Sequence, residues 1–204
     1  MRRILYSILT ITVGLVLSGS SCNTETNPKD DPTTTDVGVK IGEVIWATRN
    51  VCEPGKFVAK PEDPGKFYQW NSDRAWSGTG ATIPGWDATM PTGADWAAEN
   101  DPCPEGWRVP TETQMTALIA DGYVWDNTKK QGTFGVGAHT ILIPAAGCLN
   151  YEDGVLSSTE AAYYWISTSE VGAMGIILAF SNGTPAYVGG FVKSFGCPIR
   201  CVKK

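Results

Sequence analysis

Cys103-Pro104-Glu105-Gly106-Trp107-Arg108-Val109-Pro110 runs directly into Thr111-Glu112-Thr113-Gln114. The second segment has the form of a capping box, in which the Thr111 side chain accepts from the Gln114 backbone and the Gln114 side chain reaches back. Met115, Leu118 and Ile119 follow at i, i+3 and i+4, which is one apolar helical stripe. Gly122 supplies the left-handed stop. The spacing predicts a helix of about three turns. A cysteine-anchored turn therefore feeds a helix, and the chain closes on a second cysteine-bearing segment, Gly196-Cys197-Pro198-Ile199-Arg200-Cys201-Val202-Lys203.

Working outward, most of the remaining periodicity is that of sheet. Val39, Ile41, Val44, Ile45 and Trp46 surround Gly42 and predict a strand or a bent pair of strands. Pro54-Gly55-Lys56-Phe57 recurs as Pro64-Gly65-Lys66-Phe67, two turns each followed by an extended aromatic stretch. Later strands are predicted over Thr140 to Pro144, Tyr163 to Trp165, Met174 to Phe180, Ala186 to Val192 and Ile199 to Lys203. Glu152-Asp153-Gly154 and Asn182-Gly183 read as hairpin turns. One good helix with many short strands predicts an α+β class. Arg74 to Asp101 differs: it is rich in Gly, Thr, Ala and Pro, carries Trp76, Trp86 and Trp96, and offers only a helical turn or two over Ala94 to Asn100. A long irregular stretch in a compact domain is functional or disordered, and three tryptophans argue against disorder.

The ends and the composition bound the rest. Arg2 and Arg3 precede an apolar run from Ile4 to Leu17, so residues 1–21 read as a secretory signal too short to span a membrane. Gly19-Ser20-Ser21 before Cys22 suits a lipoprotein signal peptidase, with Cys22 then lipidated. Cleavage near Ser20 by an ordinary signal peptidase is the alternative, because Gly19 stands where leucine is preferred. Residues 22–36 lack large apolar side chains and read as a flexible tether, leaving residues 37–204 as one domain. The expectation is an exported protein held at the outer membrane or cell surface by lipid. With 16 basic against 21 acidic residues and no basic stripe, nucleic acid is not an expected partner. Six cysteines leave an odd number after Cys22, and disulfides are the default in an oxidising compartment. His139 is the only histidine and no Cys-x-x-Cys pair exists, so no metal or other cofactor is expected.

Several pieces resemble one family in their order: Trp46 to Val51, Phe67 to Asn71, Cys103 to Leu118, Pro144 to Gly147, Tyr164 to Thr168 and Gly196 to Lys203. From Val37 onward the chain is similar to the Fibrobacter succinogenes major paralogous domain, found in surface lipoproteins of Bacteroides-like bacteria. Ile166 departs from it where the family more often has serine. The resemblance implies a C-type-lectin-like α+β fold in which the first and last strands pair and a long loop region contacts ligand. It also implies a Cys103–Cys201 disulfide, with Cys148–Cys197 as the second pair and Cys52 left free. Its implied role is recognition at a cell surface, in some members as an adhesive or fimbria-associated module.

A catalytic reading finds little chemistry to use. His139 precedes an apolar strand, and no serine lies in Gly-x-Ser-x-Gly. Glu62-Asp63 and Glu152-Asp153 are explained by turns. Glu53-Pro54-Gly55 and Trp125-Asp126-Asn127 are distant echoes of lectin calcium motifs. Cys197 and Cys201 are one residue closer than the cysteine pair of formylglycine-generating enzymes, and on one strand they would stand about 13 Å apart, beyond disulfide reach. The expected function is non-enzymatic recognition or adhesion, binding an extracellular carbohydrate or protein. The alternatives are a structural or fimbria-associated subunit and an enzyme on the same fold, a hydrolase or cysteine oxidase. Trp76, Trp86 and Trp96 offer faces for stacking, with Asp87 and Asp95 as hydroxyl acceptors. A small core beneath the loop is the other reading of the three indoles.

Overall fold

The computed structural model describes residues 35–169 and 172–204. The signal segment, Cys22 and nearly all of the tether lie outside the described residues. Among the described residues no helix is long and apolar enough to cross a membrane.

The chain opens with a hairpin of β1 (Val39–Ile41) and β2 (Val44–Asn50), followed by β3 (Tyr68–Gln69). After the long loop and a 3-10 turn at Ala98–Asn100 come β4 (Trp107–Arg108) and α1 (Glu112–Ala120). A meander follows: β5 (Tyr123–Asp126), β6 (Gln131–Val136) and β7 (His139–Pro144). The short β8 (Cys148–Leu149) and β9 (Leu156–Ser157) precede three long strands, β10 (Ala161–Ser169), β11 (Met174–Ser181) and β12 (Thr184–Val192). β13 (Gly196–Cys197) and β14 (Arg200–Lys203) close the chain. The strands form four antiparallel sheets, ordered β1-β2-β14-β4, β10-β11-β12, β3-β13-β8-β9 and β5-β6-β7.

With 43% strand and 7% helix, the fold is mainly β, which corrects the α+β, C-type-lectin-like expectation. Most of the added strand lies where sequence periodicity is weakest. β5 and β6 were not legible as strands, since Gly132 and Gly135 interrupt the second and Asn127 to Lys130 form a turn between them. The predicted helical turns over Ala94 to Asn100 reduce to one three-residue 3-10 turn.

The helix itself forms as its local chemistry dictates. Both halves of the capping box are present, and Met115 and Leu118 are buried. Gly122 adopts a φ of 123° immediately past the C-cap Asp121. The Asn182-Gly183 turn joins β11 to β12 with Gly183 at a φ of 74°.

The β10-β11-β12 sheet is the centre of the molecule because its middle strand β11 is buried on both faces. Ile176, Leu178 and Phe180 face a core shared with α1 and the β5–β7 meander. Ile177 and Ala179 face a second core with Trp70, Trp107 and Ile199. The period-two alternation of a strand places successive residues in different cores, which is why Met174 to Phe180 reads as one unbroken apolar run. The closing strand β14 lies between β2 and β4, with Arg200 opposite Asn50 and Val202 opposite Trp46 and Arg108. A disulfide joins Cys103, in the turn that leads into β4, to Cys201 of β14.

The other cysteine expectations are corrected. Cys148 and Cys197 are free, buried thiols rather than a disulfide, and Cys52 is disulfide-bonded rather than free. The Cys148 sulfur instead lies 3.6 Å from the Ser157 hydroxyl.

Candidate ligand-binding face

The loop from Arg74 to Asp101 is anchored at several points. Trp76 exchanges backbone hydrogen bonds with Phe67 at 2.9 and 3.0 Å. Its side chain is 5% exposed and belongs to a third small core with Phe67, Ala146 and Leu149. The Arg74 guanidinium lies 3.9 Å above its ring. Trp76 is therefore a core residue, and its expected role in stacking on ligand is corrected.

Trp86 packs on Trp76, with ring centroids 5.1 Å apart, and its indole donates to the Tyr151 carbonyl at 2.9 Å. Its bed is made by two glycines. A Cβ at Gly154 would lie 2.9 Å from the indole, and one at Gly196 would lie 3.1 Å from it. Asp87 is exposed, and one carboxylate oxygen accepts from the Thr89 backbone at 2.9 Å. Hydrogen bonds from Thr89, helped by nearby Arg74, hold this carboxyl below its ordinary pKa.

The second half of the expected site goes elsewhere. Trp96 meets Trp70 edge-on at 5.8 Å and donates to the Asn100 carbonyl at 2.9 Å. Asp95 is exposed and its backbone bridges to Thr168. Asn71, in a left-handed conformation with a φ of 57°, accepts from the Ala97 backbone at 2.7 Å. The buried Lys193 donates to the carbonyls of Gly93 at 2.7 Å and Gly172 at 2.9 Å, with its ammonium 4.3 Å above Trp70. Burial pushes that ammonium below its ordinary pKa. Lys193, just past β12, thus fastens the loop to the end of the central sheet, and Asn71 fastens it to the segment that follows β3. Trp76, Trp86 and Trp96 do not share one ligand face.

The feature that sequence reasoning missed is a run of ring contacts beside Trp86. Tyr163 stacks on Phe191 at 5.2 Å and 18°. Phe191 meets Phe195 at 4.6 Å, and Phe195 meets Tyr151 at 5.2 Å. Tyr163, Phe191 and Phe195 are half-buried and Tyr151 is 40% exposed, so the run forms a ridge reached by solvent. Gln69 ties Asp87 to it, donating to the Asp87 carbonyl at 2.5 Å and to the Ser194 carbonyl at 3.0 Å. Glu152 borders the other end, accepting from the Tyr151 hydroxyl at 2.8 Å. That bond raises the Tyr151 phenol above its ordinary pKa. Next to Tyr163, a shallow depression of about 150 Å³ is lined by Ala161, Ser181, Thr184 and Tyr187. Trp86 and Asp87 therefore support and border a surface whose exposed rings come from residues distant in sequence. The available signal was Phe191 two places from Gly189 on a strand, alternating with residues of the opposite face.

Candidate reactive groups are explained by structure. His139 is exposed at the start of β7, beside a depression of about 290 Å³ that holds no serine or cysteine in its lining. Among the described residues no group of three or more His, Cys, Asp or Glu side chains is placed to hold a metal. Glu53 pairs with Lys66 at 3.4 Å, and an Asp126 carboxylate oxygen accepts from Thr128 and Lys129 within its turn. Burial raises both free thiols above their ordinary pKa, the opposite of the shift that activates a thiol nucleophile.

Comparison with protein-family models, curated proteins and solved structures finds no match for this chain.

Proposed function

We propose that the chain is an exported, lipid-anchored surface protein whose domain recognises an extracellular carbohydrate or protein without catalysing a reaction. The observation that carries this reading is the Tyr163–Phe191–Phe195–Tyr151 ridge. Aromatic side chains present large apolar area at low conformational cost, and acceptors at their border orient a ligand's hydroxyl or amide donors. Glu152 and Asp87 supply such acceptors here. The resemblance to the paralogous domain of surface lipoproteins supports the location, as do the signal at residues 1–21 and the tether ending near 36. Buried thiols with raised pKa weigh against the cysteine-oxidase alternative.

The test is binding of the purified protein to a glycan array and to surface-protein fractions, with Phe195→Ala and Tyr151→Ala beside the parent. Binding that disappears in both variants while their melting temperatures hold supports the reading. Undiminished binding by both variants refutes the ridge as the site.

A further inference from the structure

Most sheet-end strands in this molecule are short or covered. β1, β3, β4 and β9 are two or three residues long. β7 packs against β1 and β2, while β5 has four residues and ends on Asp126. The outer side of β10 is hydrogen-bonded by loops: Trp165 donates to Pro198 at 3.2 Å, Ser167 to Pro110 at 2.8 Å, and Trp96 to Ser167 at 2.9 Å.

β12 is different. It is nine residues long and ends the central sheet. Among the described residues no backbone hydrogen bond reaches its outer side between Thr184 and Phe191. From Thr184 to Val192 it carries no charged side chain, and its one proline, Pro185, stands near the start. Proteins ordinarily blunt such an edge with lysine, a bulge, a central proline or a covering loop, because a bare row of N–H and C=O groups templates another strand. α1 packs against β12 through the core that Met115 and Leu118 share with Val188, on a face of the sheet rather than along its edge. A register shift at Pro185–Ala186 bends the start of the strand, and no lysine, central proline or covering loop protects Tyr187 to Phe191.

We propose that β12 pairs antiparallel with β12 of a second copy of this chain, making one continuous six-stranded sheet across a two-fold axis. Charge is the first argument. A two-fold sets each strand opposite itself, so any charge would come near its own kind, and like charges across a strand pair are destabilising. The edge carries none, although the chain as a whole has a net charge of −5. The neutral edge equally has nothing with which to select a charged foreign peptide. Shape is the second argument. With the axis at Val188, Tyr187 falls opposite Gly189 of the partner subunit, and the same pair recurs on the other side of the axis. Each larger side chain meets a residue without a Cβ, the arrangement in which an aromatic covers a strand glycine. Within one chain Tyr187 already leans over its own Gly189, where a Cβ would lie 3.1 Å from the ring, and it keeps 50% of its surface exposed. An axis normal to the sheet leaves the aromatic ridges of both copies on one side.

Sedimentation velocity on the secreted chain tests this, with Cys22→Ala and Cys52→Ala in every sample so that neither lipid nor a disulfide between copies can drive association. From about 1 to about 100 µM the dimer fraction should rise with concentration. Tyr187→Lys should weaken dimerisation by roughly tenfold or more by charging the edge, with the melting temperature unchanged. Amide exchange of Tyr187 to Phe191 should slow as the dimer forms, a readout independent of the variant. A monomer throughout the range overturns the proposal, as does a dimer that forms without protecting β12. Protection of β12 only when a different protein is added would make the occupant a foreign strand, and would overturn it too.

Discussion

Trp76 and Tyr151 lie on either side of Trp86, and their opposite burial separates fold from function at single residues. Trp76 is 5% exposed beneath the loop, whereas Tyr151 is 40% exposed with its hydroxyl on Glu152. Trp76→Ala opens a cavity, and its expected cost is about 3–5 kcal/mol in urea unfolding, with ligand binding by the folded fraction intact. Tyr151→Ala should move stability by no more than about 0.5 kcal/mol, as surface substitutions do, while reducing array binding. If Tyr151→Ala unfolds the protein, the ring is structural and the ridge loses its exposed end. Sequence could not rank the loop tryptophans, because their burial is decided by remote partners. Trp76 is set by pairing with Phe67, Trp86 by Gly154 and Gly196, and Trp96 by Trp70. The rings that do reach solvent come from Tyr151, Tyr163, Phe191 and Phe195, which no local window brings together.

At the scale of elements, legibility follows the range of the forces involved. α1 was readable because its cap, its apolar stripe and its stop all lie within a dozen residues. Thr111→Ala should therefore cost about 1 kcal/mol, as loss of an N-cap does, measurable as a small downward shift of the unfolding midpoint. The β11–β12 hairpin was readable for the same local reason, through Asn182-Gly183. β5 and β6 were not, because their pairing depends on a turn built by Asp126 and on glycines that lower strand propensity. Gly135 shows why such a residue is kept. Its φ is 96°, and an added Cβ would collide with the His139 carbonyl across the β6–β7 pair. Gly135→Ala is expected to cost about 1–3 kcal/mol from backbone strain alone. An alanine variant as stable as the parent would show that this hairpin relaxes freely. The mistaken fold class has the same origin, since undetected strands left the single helix overweighted.

For the whole molecule, the Cys103–Cys201 bond ties the entrance of α1 to the closing strand over a separation of 98 residues. Removing it should cost about 2–5 kcal/mol. The buried titratable groups add a second global property, a loss of stability in alkali. Burial raises Tyr68 and Cys197 well above their ordinary values, raises Cys148, and pushes Tyr164 up to about 12. In each case the folded state holds its proton to higher pH than the unfolded chain. The sign follows: their contribution is fully present below the ordinary pKa and is lost as pH rises through the folded value. Arg200 works against them. Desolvation lowers its guanidinium to about 10, so above that pH the folded chain releases a proton that the unfolded chain retains. Lys193, whose ammonium burial also holds below its ordinary value, opposes in the same sense, while the thiols, whose ordinary pKa is about 8.5, begin to lose their contribution at lower pH than Arg200 begins to oppose it. The urea midpoint should therefore fall between about pH 8 and about pH 10, and replacing both Cys148 and Cys197 with alanine should flatten that fall. An equally steep decline in the double variant would assign alkaline unfolding to the buried phenols and remove the thiols from the account.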